Sequence, residues 1–117
     1  MSNALTDTSL SRVGIIERAK DKWNSRSSSE RLKCSNKYHH ILVKIGAQPK
    51  PWDEEFSKLS FRQKNILIKG ELIRTYDSLS NQEKTKIKEK LGLSTFSSKW
   101  FKLPPSDKRK LLLEILQ

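Results

Sequence analysis

The side chains best suited to covalent or metal chemistry are few in this chain, and their spacing keeps them apart. The single cysteine, Cys34, excludes an internal disulfide and a cysteine-based zinc site. It also falls on an apolar stripe, where a thiol acts as a core residue rather than a nucleophile. His39 and His40 are adjacent, so on a helix their side chains point about 100° apart and cannot both bind one metal ion. The four glycines are isolated, so there is no glycine-rich phosphate loop. We therefore expect no enzymatic activity, no metal and no cofactor.

Positive charge is the strongest functional signal in the sequence. The 117 residues contain 24 lysines and arginines against 13 acids, which gives a net charge of +11. Residues 26–50 carry six bases and one acid, and residues 84–110 carry nine bases and two acids. Two basic clusters on one domain are typical of a protein that binds a polyanion. The alternatives are a lysine-rich surface that keeps the protein soluble, or one that meets an acidic protein partner.

We predict that two groups of side chains contact nucleic acid, with DNA favoured over RNA. The first cluster is Arg26, Arg31, Lys33, Lys37, His40 and Lys44. The second cluster is Lys84, Lys88, Thr95, Ser98, Lys99, Lys102, Lys108 and Arg109. Lysine and arginine contacts to phosphates supply affinity without sequence choice. The predicted function is therefore non-catalytic binding to nucleic acid or to a nucleoprotein assembly.

Residues 81–103 resemble a helix-turn-helix segment. A helix ends in Leu91-Gly92-Leu93-Ser94, and a second helix beginning at the serine leads to an aromatic anchor. Such a second helix would present Thr95, Ser98, Lys99 and Lys102 to the major groove. Two positions depart from the motif, since Ser98 stands where an apolar residue usually packs and Lys88 where a small one permits close approach. An ordinary helix corner is the alternative.

A short phrase recurs four times and predicts how helices begin and how they are anchored. Each copy has an aromatic residue followed four positions later by a helix-capping residue. The pairs are Trp23 and Ser27, Phe56 and Ser60, Tyr76 and Ser80, and Trp100 and Pro104. A cap serine accepts a hydrogen bond from an otherwise unpaired amide, and Glu or Gln three positions later completes a capping box. The aromatics lie 33, 20 and 24 residues apart, so we expect core anchors rather than a regular repeat array.

The third copy resembles part of a known family. Tyr76-Asp-Ser-Leu-Ser-Asn-Gln-Glu-Lys84 is similar to the junction before the last helix of an HMG box, a family that binds and bends DNA. The resemblance covers nine residues. The basic, proline-containing first segment of that family is not recognisable here, and the other three copies of the phrase have no role in it. The resemblance therefore assigns no family to the chain.

The elements that position these residues are predicted to be helices throughout. Period-two alternation is absent, so we expect no strands and an all-α bundle of five or six mostly short helices. The sequence predicts helices over 12–24, 27–45, 52–56, 61–76, 81–91 and 105–116, with another short one after Ser94. In the first helix, Val13, Ile16, Ala19 and Trp23 should face inward. The domain prediction is a flexible tail over 1–10 and one helical domain over 11–117, with an extended connector at 47–51.

Composition also limits the compartment and the class of partner. No apolar run approaches the roughly 18 residues that a membrane span needs, and the first residues lack the order of a secretory signal. A lone cysteine fits a reducing, intracellular location. Asp7 and Glu17 favour the nucleus or cytoplasm over the mitochondrion, because mitochondrial presequences avoid acids. The alternative functions are an accessory subunit of a ribosome, a mitochondrial complex or a replication or transcription machine, or a protein-binding adaptor or inhibitor.

Overall fold

Six α-helices make up most of the chain that the computed structural model describes, which is residues 10–44, 46 and 52–116. They are α1 (Arg12–Asn24), α2 (Ser28–Asn36), α3 (His39–Lys44), α4 (Phe61–Ser78), α5 (Asn81–Leu91) and α6 (Pro105–Leu116). Two 3₁₀ turns, Phe56–Lys58 and Trp100–Lys102, precede α4 and α6. No strand occurs among the described residues, and the all-α prediction is confirmed.

Serine side chains cap the N-termini of four of these helices, three of them at the positions that the recurring phrase predicts. They are Ser11, Ser27, Ser60 and Ser80, and each accepts a hydrogen bond from the backbone N–H three residues later. Glu30 and Gln63 complete capping boxes by accepting hydrogen bonds from the backbone N–H groups of Ser27 and Ser60, at 3.0 and 2.9 Å. Each such cap contributes about 1 kcal/mol to helix stability. The helix starts are therefore fixed locally, by residues within one turn.

The region predicted as one helix over 27–45 is divided in two. At the end of α2 the backbone N–H of Tyr38 donates to the carbonyl of Ser35 at 2.9 Å, an i to i−3 bond that tightens the chain. The Tyr38 ring stacks on Trp52, with centroids 5.9 Å apart and planes 28° apart. The chain then resumes as α3. The tight turn and the ring contact accompany the break between α2 and α3.

The short helix predicted over 52–56 is wrong. The chain bends there, and a 3₁₀ turn begins only at Phe56. The Phe56 N–H, which an α-helix over 52–56 would pair with the Trp52 carbonyl, donates instead to Asn24 at 2.9 Å. Two carbonyls of this stretch also accept from side chains of α1 and α2. The guanidinium of Arg31 donates to the carbonyl of Asp53 at 2.8 Å, and the indole of Trp23 donates to that of Glu54 at 2.9 Å.

Most of the predicted domain limits involve residues that the structure does not describe. The connector at 47–51 and residues 1–9 of the tail lie outside the described residues. Leu10, assigned to the tail from the sequence, is fully buried in the core. Leu10 directly precedes the Ser11 cap, so the start of α1 holds Leu10 close to the core. The packed domain therefore includes Leu10.

The aromatic residues of the four phrases all lie in the core, as predicted. Trp23, Phe56, Tyr76 and Trp100 are at most 6% exposed. In α1 the buried face is Ile15, Ala19 and Trp23, at a spacing of four residues, whereas Val13 is 72% exposed. The predicted inward face of α1 is therefore wrong at Val13, whereas Ile16 is half-buried and packs against the core. Contacts with α4 and α6 determine which side of α1 turns inward.

Two corners of the bundle are built by the same set of hydrogen bonds. In the first corner, between α1 and α2, the carbonyl of Trp23 accepts from the N–H of Arg26 at 3.1 Å. In the second corner, between α4 and α5, the carbonyl of Tyr76 accepts from the N–H of Leu79 at 3.1 Å. A serine cap then begins the next helix in each corner. The two turns lie 53 residues apart in the sequence.

Each corner is closed by a later segment that returns to it. Asn24 accepts from the backbone N–H of Phe56 at 2.9 Å, and Asp77 accepts from that of Trp100 at 2.8 Å. The ring of the first aromatic also donates in both corners, since Tyr76 donates to the carbonyl of Ser97 at 2.7 Å as Trp23 does to Glu54. The four phrases therefore form two matching pairs, the first with the second and the third with the fourth.

Candidate nucleic-acid interface

Four members of the first cluster are exposed residues of α2, α3 and the turn between them. Lys33, Lys37, His40 and Lys44 are all exposed, and successive members are four, three and four residues apart. None of the four forms an ion pair with another described residue. Their donors therefore face solvent and can reach an anionic ligand. We call these four residues the α2–α3 row.

The other two members of the first cluster hold the first corner together. Arg31 donates to the carbonyls of Trp23, Asn24 and Asp53, at 3.2, 3.0 and 2.8 Å. Arg26 donates to the sulfur of Cys34 at 3.0 Å, and its guanidinium lies over the Trp23 ring, 5.8 Å from the centroid. These contacts occupy N–H donors that could otherwise bind a phosphate. Arg26 and Arg31 therefore stabilise the first corner, unlike the residues of the α2–α3 row.

Lys84, in the second cluster, is the counterpart of Arg31. It follows the Ser80 cap by four residues, as Arg31 follows Ser27. Its side chain is buried, its ammonium donates to the carbonyl of Ser98 at 2.7 Å, and the nitrogen lies 5.5 Å from the centre of the Tyr76 ring. A buried ammonium requires such partners, because desolvation of an unpaired charge is costly. Lys84 therefore stabilises the second corner.

The predicted helix-turn-helix is not formed. Gly92 ends α5 in the left-handed conformation, with φ of 65°, as the glycine at that position predicts. Residues 93–99 are not helical, and only the 3₁₀ turn Trp100–Lys102 precedes α6. Thr95, Ser98 and Lys99 are exposed on this irregular segment, and Lys102 is exposed on the 3₁₀ turn. No recognition helix follows α5 in this described stretch.

Asp107 provides the physical reason for that irregular segment. Its fully buried carboxylate accepts from the backbone N–H groups of Ser94 and Thr95, at 3.0 and 3.2 Å, and from the Ser94 hydroxyl. Burial acts to raise the pKa of Asp107, but these hydrogen bonds and the charge of Lys110 outweigh it and hold the pKa below its usual value. An ionised carboxylate on α6 thus fixes residues 94 and 95 from outside their own segment.

The carbonyl groups of the irregular segment are also occupied by side chains. Tyr76 donates to Ser97, and Lys84 donates to Ser98. Burial, followed by the charges of Asp77 and Asp107, raises the pKa of the Tyr76 phenol, so the phenol stays protonated and remains a donor. Because these bonds come from α4 and α5, the segment is bound to the second corner rather than coiled as a helix.

The remaining basic residues of the second cluster differ in exposure. Lys99, Lys102 and Arg109 are exposed, whereas Lys88 and Lys108 are half-buried. The Lys102 ammonium lies 5.9 Å from the centre of the Phe101 ring, and Lys108 donates weakly to the Phe101 carbonyl at 3.4 Å. The side chains of the second cluster are therefore less uniformly exposed than those of the α2–α3 row.

The buried carboxylate of Glu71 forms a charge cluster with partly exposed cations that the sequence pattern did not predict. Its carboxylate accepts from the Lys22 ammonium at 2.8 Å and from the Thr75 hydroxyl at 3.1 Å. Arg18 and Arg74 lie 3.5 and 3.7 Å away. Burial acts to raise the pKa of Glu71, but the bond from Lys22, the neighbouring charges and Thr75 outweigh it and lower the pKa. The signal for this cluster in the sequence is an acid between Ile68 and Leu72 on the inward side of α4.

Comparisons with protein-family models, curated proteins and solved structures found no match to this chain. No described helix has the length and apolar character needed to cross a bilayer. Among the described residues there is also no group of three histidine, cysteine or acidic side chains that could hold a metal ion. The function must therefore be inferred from the chain's own geometry and charge.

Proposed function

We propose that this protein binds nucleic acid without catalysis, by phosphate contacts from the α2–α3 row. The observation that carries the proposal is the exposure of Lys33, Lys37, His40 and Lys44 together with the lack of ion pairs to described residues. A lysine that binds a phosphate backbone releases counterions condensed on that backbone. The net charge of +11 adds long-range attraction for the same ligand.

The proposed contacts are to the backbone rather than to base edges. Base reading in the major groove usually requires a helix or a β-ribbon that enters it. The segment predicted to supply that helix, residues 94–103, is irregular up to its final 3₁₀ turn. We therefore propose binding that tolerates many sequences, with Lys99, Lys102 and Arg109 as additional phosphate contacts. Arg31 and Lys84 are left out because their donors bind backbone carbonyls.

A salt-titrated binding measurement tests the proposal. Labelled duplex DNA, single-stranded DNA and an RNA hairpin would be titrated with the full chain, with anisotropy as the readout, from about 50 to 200 mM salt. We expect affinity for at least one of them to fall steeply. Each phosphate contact contributes about −0.9 to the slope of log association constant against log salt for duplex DNA, and about −0.7 for a single strand.

The matched variants are two double substitutions of exposed lysines. Lys33→Gln with Lys37→Gln should weaken binding and make the duplex slope shallower by roughly two contacts, about 1.8. Lys20→Gln with Lys58→Gln removes the same charge from positions outside both clusters and should change the slope much less. Binding that is weak and insensitive to salt for all three nucleic acids would refute the proposal, as would equal effects of the two double variants.

A further inference from the structure

A shallow apolar groove lies between α4 and α6. It consists of two adjoining depressions that share Lys69 and Leu112 in their walls. Ile66, Leu112 and Leu116 line the first depression, and Ile73 and Trp100 line the second. Phe61 stands at one end and is 73% exposed. We call this feature the α4–α6 groove.

The groove is formed by one face of each helix. On α4 the lining residues Arg62, Ile66, Lys69 and Ile73 recur every three or four positions, and on α6 Pro105, Lys108, Leu112 and Leu116 do the same. The start of α4 shares a depression with the end of α6, so the two helices run antiparallel along the groove. From Phe61 to Ile73 the wall is about 18 Å long at 1.5 Å per residue.

Charge at the groove has one sign. The charged residues that line the two depressions are Arg62, Lys69, Lys108 and Arg109, and no acid lines either of them. The apolar lining between these bases is aliphatic at Ile66, Ile73, Leu112 and Leu116 and aromatic at Phe61 and Trp100. Such a lining suits the apolar side chains of a helix. An apolar floor flanked by cations is complementary to an amphipathic helix with acidic flanks.

We propose that the α4–α6 groove binds an amphipathic, acidic helix of a partner protein. A length of about 18 Å accommodates about 12 residues, or three turns, of such a helix. Its apolar residues, spaced at i, i+4, i+7 and i+11, would pack on Ile66, Leu112 and Leu116 and against Phe61. Its acids would meet Lys69 and Arg109. This role lies beyond nucleic-acid binding, because the α2–α3 row contributes nothing to the groove and Arg109 is the one proposed phosphate contact that lines it.

A designed peptide supplies the direct test. The probe is a labelled synthetic helix with leucine at those four positions and glutamate beside them. One comparison peptide keeps the leucines and replaces glutamate with lysine, and the other keeps the composition in scrambled order. We expect the acidic amphipathic peptide to bind at least about tenfold more tightly than either comparison peptide. Equal binding of the scrambled acidic peptide would overturn the proposal, because it would indicate charge attraction alone.

Single variants locate the binding site. Phe61→Ser should weaken peptide binding several-fold, whereas Val13→Ser, which alters a side chain of nearly equal exposure (72%) on α1, should not. Lys69→Glu should weaken binding more than Lys20→Glu, a charge reversal at an exposed position on α1. Amide NMR shifts caused by the peptide should cluster on α4 and α6. Shifts centred on any other surface would contradict the assignment.

Two further outcomes would show that the groove binds a different occupant instead of a partner helix. A concentration-dependent dimer in sedimentation that Phe61→Ser abolishes would make a second copy of this chain the occupant. Duplex DNA or RNA that displaces the peptide and loses affinity with Phe61→Ser would make nucleic acid the occupant. Lys33→Gln with Lys37→Gln should leave peptide affinity unchanged. The groove and the α2–α3 row can therefore fail or succeed separately.

Discussion

The Oδ1 atom of Asp77 accepts a hydrogen bond of 2.8 Å from the backbone N–H of Trp100, 23 residues later in the chain. Asn24 forms the equivalent bond with Phe56. In each case the residue after the buried aromatic of one phrase accepts from the N–H of the aromatic in the following phrase. This single side-chain oxygen joins the end of one helix to the turn that precedes another. It is a specific point at which the second corner can be weakened.

Replacing Asp77 should show what this bond contributes. Asp77→Ala leaves the N–H of Trp100 without its acceptor and should cost about 1–3 kcal/mol in the free energy of unfolding. Asp77→Asn keeps an oxygen at the same place, as Asn24 does in the first corner, and should cost less. Urea unfolding followed by tryptophan fluorescence measures both. Equal stability of the alanine variant and the natural chain would show that the bond is not important.

Lys84 should prove to be a stabilising residue rather than a phosphate contact. Lys84→Ala removes the donor to Ser98 and the packing against Tyr76, and we expect it to cost about 1–3 kcal/mol. The control is Lys86→Ala, an exposed lysine on the same helix, which should stay within about 0.5 kcal/mol of the natural chain. At low salt and per folded molecule, Lys84→Ala should bind duplex DNA as the natural chain does. A shallower salt slope for Lys84→Ala would contradict this role.

Acid should destabilise the fold through Glu71 and Asp107. Both carboxyl groups have a lowered pKa in the folded chain, so the folded state holds their protons less tightly than the unfolded state. Their contribution is fully present above the unfolded pKa values, near 4, and is lost as the pH falls below them. Unfolding free energies of the natural chain should therefore decline from about pH 5 towards pH 3.

The matching variants separate the acid effect from general charge repulsion. Asp107→Asn should be less stable than the natural chain at pH 7, and the difference should shrink as the pH falls towards 3. Glu71→Gln should behave in the same way. Denaturant titrations at four pH values between 3 and 7 supply the measurement. A difference that stays constant with pH would show that the carboxylate charges do not stabilise the fold.

Because no recognition helix forms over residues 94–99, a prediction follows for Thr95 and Ser98. Both side chains are exposed on the irregular segment, and we expect no base contacts from them. Thr95→Ala and Ser98→Ala should leave both the affinity for duplex DNA and its dependence on sequence unchanged. Competition between duplexes of different sequence is the measurement. A change in sequence preference caused by either substitution would restore a base-reading role to the segment.

Local features of the fold can be predicted from the sequence, because the interactions that fix them are local. Ser60 and Gln63 cap α4 from within one turn, and Gly92 ends α5 at its own position. The buried face of α1 is harder to predict. Ile15 and Ile16 are equally apolar neighbours, and the packing of α1 against α4 selects Ile15. Such a choice depends on residues about 50 positions away.

The candidate interface was less predictable. The sequence alone does not show whether a basic side chain faces solvent or donates to a backbone carbonyl. Arg31 and Lys33 are two residues apart in one cluster, yet Arg31 donates to three carbonyl groups and Lys33 is exposed. The motif Leu-Gly-Leu-Ser predicts the end of α5 correctly. The conformation of the next residues is determined by Asp107, whose carboxylate binds the backbone 12 and 13 residues earlier. No local pattern contains that information.

The pairing of the two corners has a consequence for the order of folding. The bonds from Trp23 and Asn24 span 31 and 32 residues, and those from Tyr76 and Asp77 span 21 and 23. Contacts across short stretches of chain form early, because closing a small loop costs little entropy. We expect each corner to assemble on its own before α1 docks on α4. The loop of the second corner costs only about 0.3 kcal/mol less to close, so we expect the two corners to form on similar time scales.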